Sequence, residues 1–174
     1  MPTSTDRVFL GAATVLALGV AACAGQPLRP FAFDGALPQE KATTALARAL
    51  EEVGRNPALV DARAGVIVTS WADSGYRFHE APVFPDDLNR GVEKYVFRRY
   101  HIAVLPGDAG GSAKVRLQAE IKRCLPPVSL VAEQLVGQCE DAPVAFRSLQ
   151  RDLDALGQRL QALATEGPAT GTVR

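Results

Sequence analysis

The chain is poor in the residues that carry most site chemistry: of 174 residues, four are Lys, two His, three Cys and one Trp, and 6% are aromatic. Excess charge is missing as well, since 19 Lys plus Arg balance 19 Asp plus Glu for a formal net charge of zero. Phosphate backbones are bound through a basic surplus, so nucleic acid is excluded as a main partner, and a polyacidic substrate is equally disfavoured. The longest apolar stretch, Val8 to Val20, holds 13 residues and is too short for a retained membrane span. What remains is an ordinary globular composition, 47% hydrophobic and 22% charged, sized for one domain.

Arg7 precedes that stretch and Val20-Ala21-Ala22-Cys23 ends it. The four residues resemble the bacterial lipobox, a small-residue cleavage site closed by a modifiable Cys. The resemblance implies a signal peptide over 1–22, cleavage before Cys23 by signal peptidase II, and diacylglycerol on the Cys23 thiol. Two or three acyl chains exceed what stable anchoring needs, at about 0.8 kcal/mol per buried methylene. Ala24 stands where the inner-membrane retention signal of enterobacterial lipoproteins has Asp, so the resemblance points to the outer membrane, with the domain facing the periplasm. Residues 23–38, with Pro27, Pro30 and Pro38 and no apolar period, read as a lipidated tether.

Outside the cytoplasm oxidation is expected, and with Cys23 set aside only Cys124 and Cys139 remain to pair. A structural disulfide between them would be worth about 3 kcal/mol in the chain-entropy view. A metal pair or a redox couple are the alternatives, against a spacing far from C-x-x-C and no nearby His.

The domain is expected over 39–166, with 167–174 a frayed tail. Pro38 opens a helical pattern in which Ala42, Leu46, Ala49, Leu50 and Val53 share one face before Gly54 stops it. Gly65 to Trp71 is a β-branched strand, and Tyr76 to Glu80 alternates as its return in a hairpin. Residues 81–94 read as a loop with a helical turn near Leu88. A third strand over Phe97 to Leu105 places Tyr100, Ile102 and Val104 opposite Arg99, His101 and Ala103. From Lys114, Val115, Leu117, Ala119 and Ile121 alternate with polar residues until Leu125-Pro126-Pro127 ends the strand. Pro143 precedes a long helix to about Ala164, whose Leu149, Leu153, Leu156, Leu160 and Leu163 form a seam too short for a coiled coil and suited to the sheet. The expectation is an α+β two-layer sandwich: an antiparallel sheet of about four strands against an N-terminal and a long C-terminal helix.

Candidate chemistry is sparse. Gly107-Asp108-Ala109-Gly110-Gly111 resembles the G-D-S-G-G stretch of chymotrypsin-type serine proteases, but Ala109 occupies the nucleophile position, leaving a Gly-rich turn. His79 and His101 could approach each other if the second and third strands paired, with Glu80 or Asp86-Asp87 nearby, yet no metal or catalytic spacing is present. Trp71, Phe78 and Tyr100 read as core or as the lining of an apolar groove. Arg98-Arg99 reads as a solvated edge.

The order of a helix, Gly54, a loop with Asp61, the strand Gly65 to Trp71, a meander and a closing helix resembles the helix-grip domains of the BamC lipoprotein of the outer-membrane β-barrel assembly machinery, and related small proteobacterial lipoproteins. The resemblance covers about residues 39–123. BamC has two such domains and a long partner-binding segment, whereas this chain has room for one domain and a short tether, and no binding residue carries over. The resemblance bears on fold and location more than on mechanism; with the lipobox, the neutral charge, the single-faced sheet and no convergent acid, base or nucleophile set, the expectation is a non-enzymatic interaction or scaffold module in envelope assembly, without cofactor or metal. Its partners are the membrane, through lipid on Cys23, and other envelope proteins. A carrier or chaperone for lipid or lipopolysaccharide is the alternative.

Overall fold

A computed structural model describes residues 27–80, 92–108, 111–142 and 147–166. The elements run β1 (Phe31–Gly35), α1 (Gln39–Glu52), β2 (Pro57–Asp61), β3 (Val66–Thr69), β4 (Ala72–Glu80), β5 (Val92–Pro106), β6 (Ala113–Val131), β7 (Gln134–Asp141) and α2 (Arg147–Glu166). Of the described residues strand accounts for 53% and helix for 27%, so this part of the molecule is mostly β: one seven-stranded antiparallel sheet with two helices, not a four-stranded sandwich.

The long β5–β6 ladder is the spine, paired from Tyr95 opposite Cys124 to Pro106 opposite Ala113. One half of it is flanked by β1 on β6 and by β3 and then β2 on β5; the other half by β4 on β5 and β7 on β6. Three of these strands sit where the sequence predicts none. β1 lies inside the stretch expected as tether, alternating Phe31 and Phe33 inward against Leu117 and Val115. β2 begins on Pro57, whose missing N–H is tolerated at the first residue of a sheet-edge strand, and pairs with β3 as a hairpin. β7 returns along the second half of β6. The expected β3–β4 hairpin does not form. β3 pairs with Ile102 and its neighbours, β4 with residues 92–98, so the two lie end to end along β5. The loop expected over 81–94 yields its last three residues to β5; the rest, with the tail 167–174 and the leader through Cys23, lies outside the described residues.

Alternation decides which side of the sheet is covered. Val96, Tyr100, Ile102 and Val104 of β5 and Val115, Leu117 and Ile121 of β6 face the helices and are buried. α1 contributes Ala42, Leu46, Ala49 and Leu50; α2 contributes Leu149, Leu153, Leu156 and Leu160, so the leucine seam packs within the domain. Each such buried leucine contributes about 1.5–3 kcal/mol relative to exposure. Gly157 lets α2 approach β1 closely, since a Cβ there would lie 2.3 Å from the Phe31 ring. Arg98 corrects the solvated-edge reading: neighbours on a strand face opposite ways, and Arg98 points under α2, 8% exposed, with its guanidinium bound to Asp152.

Candidate functional site

The face of the sheet that neither described helix covers carries Tyr95, Phe97, Arg99 and His101 of β5 and Gln118, Glu120 and Lys122 of β6. Register sets Arg99 opposite Glu120, and the Arg99 Nε–H donates to Glu120 Oε2 at 2.6 Å. His101 Nε2 meets the same oxygen at 2.8 Å. Burial pushes the Glu120 carboxyl up, but the hydrogen bonds and charges of Arg99 and His101 outweigh it and hold the group below the usual carboxylate range. A carboxylate committed to two donors in this way is a weak general base at neutral pH, so the cluster is better suited to binding than to proton transfer.

Beside it the Arg99 guanidinium lies 4.6 Å from the centroid of the Trp71 ring, and Lys122 Nζ lies 5.7 Å from the same ring. Trp71 is 6% exposed although neither described helix covers this side, and both cations lie over its ring. Arg77 repeats the motif over Tyr95 at 4.2 Å while pairing with Asp73 at 3.0 Å. Lys122 and Asp141 stand 3.5 Å apart.

A cleft of about 410 Å³ opens where β6 loses its outer neighbour. Among the described residues β1 pairing ends at Leu117, and β7 pairing starts at Lys122 with Ala142 N–H reaching Ile121 O, so no described strand pairs with β6 over 118–120 on that side. Leu28, Pro30 and Leu153 give the cleft apolar walls, and Arg29, His101, Gln118 and Glu120 a polar rim. The amide of Gln150 clips the entering chain by accepting from Arg29 N–H at 2.8 Å and donating to Arg29 O at 3.2 Å.

Beyond the cleft, β6 and β7 leave the body as a hairpin. Cys124 and Cys139 face each other across its root and form a disulfide. Two extra residues on β6 between Leu125 and Ser129 make a bulge containing the cis Pro126-Pro127 bond, so the prolines bend the strand rather than end it. The turn Ala132-Glu133 has positive φ at both residues, the geometry of a two-residue hairpin. Leu130, Val131 and Val136 are about half exposed, at 47%, 56% and 51%.

Of the residues singled out in sequence, Cys124 and Cys139 come together and Cys23 lies outside the described residues. Trp71, Phe78 and Tyr100 do not share a groove. Tyr100 sits in the helix-side core at 2% exposure, where burial raises its pKa against the opposing pull of Arg98 and Arg55. Phe78 joins the second helix-side cluster with the Arg123 guanidinium 3.9 Å from its ring centroid, and Trp71 is on the far side of the sheet. His79 pairs opposite Glu93, eight positions along β5 from His101, a separation of about 26 Å at strand rise. Asp86, Asp87, Ala109 and the Glu80 side chain are not among the described groups. No cluster of His, Cys, Asp and Glu suited to a metal occurs among the described residues, and no described helix is long and apolar enough to cross a membrane. Sequence reasoning missed Glu120 and Arg99, whose signal was their shared outward parity on neighbouring strands. It also missed the hairpin, whose signal was a 14-residue stretch, Leu125 to Gln138, with Glu133 as its single charge.

No protein-family profile and no curated protein matches this chain. Among solved structures, a DUF4468 family protein from Bacteroides ovatus overlays with a TM-score of 0.36 at 13% identity, over 81% of this chain and 88% of that one. A likeness at that score carries no argument about either protein.

Proposed function

We propose that this chain is a lipoprotein held on the outer membrane through Cys23, with its domain in the periplasm acting as a non-enzymatic interaction or scaffold module for envelope proteins. The observation that carries the reading is the open sheet face, where Trp71 under Arg99 and Tyr95 under Arg77 sit among paired charges. Trp, Tyr and Arg are the residues that interfaces concentrate at their energetic centres. Tethering supplies the mechanism, because a lipid anchor confines the domain to one surface and raises its effective concentration for partners there. A neutral charge balance and the four-residue pattern Val20-Ala21-Ala22-Cys23 with its apolar leader agree with this address.

Crosslinking pull-down from intact envelopes tests it, with the wild-type chain, Cys23→Ser and Arg99→Glu side by side. The expected result is one set of envelope proteins recovered with wild type, depleted with Cys23→Ser and lost with Arg99→Glu. Stoichiometric lipid or lipopolysaccharide on the soluble form, with no protein partner, would replace this reading by the carrier. The carrier has less support: the leucine seam is buried in the core, and the cleft is rimmed by Arg29, His101 and Glu120 rather than lined for an acyl chain.

A further inference from the structure

We infer that the β6–β7 hairpin is a second membrane contact, seated at headgroup depth in the same leaflet that holds the Cys23 lipid; the inference rests on the lipoprotein reading above.

The chain enters the fold at the root of the hairpin. Leu28 packs on the cluster containing Ile121 and Ala142, and the Ala142 N–H donates to Ile121 O at 3.0 Å. Three residues further along each strand stand Cys124 and Cys139. Leu28 is only five residue steps from Cys23, a reach of at most about 17 Å. With the bulge discounted, the hairpin spans six residues of β7 from Cys139 to Glu133, about 20 Å at strand rise and comparable with that reach, so a lipid on Cys23 holds it beside the bilayer.

Its surface suits that position. Leu130 is directly opposite Leu135 on one face, while Val131 and Val136 are diagonal neighbours on the other. A hairpin docked on a protein surface needs one apolar face; this one exposes apolar side chains on both, Val131 and Val136 alternating with Ser129 and Gln134 on the second, with one ionisable side chain, Glu133, at the turn. A two-stranded ribbon cannot cross the hydrocarbon core, because its edge N–H and C=O groups would be unpaired there. Headgroup depth leaves those groups and Glu133 hydrated while the valines and leucines enter the acyl boundary. The disulfide holds the two strands in register without a covering helix.

The test places a fluorophore on the hairpin. Val131→Trp and, as a second position, Val136→Trp are purified with their native anchor and reconstituted into phosphatidylethanolamine and phosphatidylglycerol vesicles with or without brominated acyl chains. Circular dichroism confirms folding. The new Trp is expected to be quenched about twofold by brominated lipid while Trp71, buried on the sheet, is unchanged. If mass spectrometry shows lipid on Cys23 and the hairpin Trp is not quenched, whether left in water or shielded by an envelope protein, the inference is overturned and the lipoprotein reading stands. If Cys23 proves unmodified, the lipoprotein reading falls, and the Cys23→Ser form of the same variants decides: quenching on vesicles upholds the hairpin contact and its absence ends it.

Discussion

Where β5 and β6 run from Tyr100–Val104 against Val115–Ala119, both helices close one face, and Ile102, Val104 and Leu117 are at most 1% exposed. A few residues further along, β6 continues with β7 into a hairpin whose apolar side chains are half exposed and whose root is a covalent bond. The first region is held by burial and the second by a staple. A strand pair gains little from hydrogen bonds alone, since water competes for them, so a hairpin without a core needs another constraint. The fully buried leucines lie in one region and the paired cysteines in the other.

Substitutions sharpen that contrast. Leu50→Ala, at 0% exposure, should cost about 2–5 kcal/mol, whereas Val131→Ala should change stability by less than about 0.5 kcal/mol; urea unfolding measures both. Equal costs would mean that the hairpin packs on something in the free protein. Replacing both Cys124 and Cys139 by Ala should cost about 3 kcal/mol, with hydrogen-exchange protection lost over 125–138 and kept in α1 and β3. Loss spread through α1 would show that the disulfide serves the body instead. Asp152→Ala strips the buried Arg98 of its partner, leaves its Nε still without a hydrogen bond, and should cost about 2 kcal/mol. Arg98→Met, which removes the charge and keeps the bulk, should cost less; the reverse order would refute the explanation by desolvation.

The smallest effect lies on the open face. The folded-state pKa of Glu120 is depressed, so its contribution is fully present above the ordinary glutamate value of about 4.3 and is lost as pH falls through the folded value. Wild type should therefore exceed Glu120→Gln in stability at neutral pH, and the gap should narrow below about pH 4.3 in parallel urea titrations. A gap independent of pH would deny the carboxylate its role.

Much of the helix-backed region was legible. Helix faces such as Leu46 with Leu50, and the alternation of Val115, Leu117 and Ile121, report a buried surface directly, and the structure buries those residues. β1, β2 and β7 were not: β1 takes its hydrogen bonds from β6, far away in sequence, while β2 and β7 pair with their chain neighbours in hairpins but are mostly exposed outer strands with no buried alternation to report them. Proline misled twice, at Pro57 and at Pro126-Pro127, where a strand start and a bulge need no donor. His101 was noticed with the wrong companion. Its partner Glu120 reads in sequence as one more solvated position, and only the register between β5 and β6 joins them.

The central claim is the address, and it is tested most directly by membrane fractionation of cells expressing wild type or Cys23→Ser, with mass spectrometry of the peptide that carries residue 23. Wild type is expected to pellet with outer membranes bearing a diacylglyceryl Cys23 at its new N-terminus, and Cys23→Ser to be released. An unmodified Cys23, with both forms distributing alike, would contradict the account.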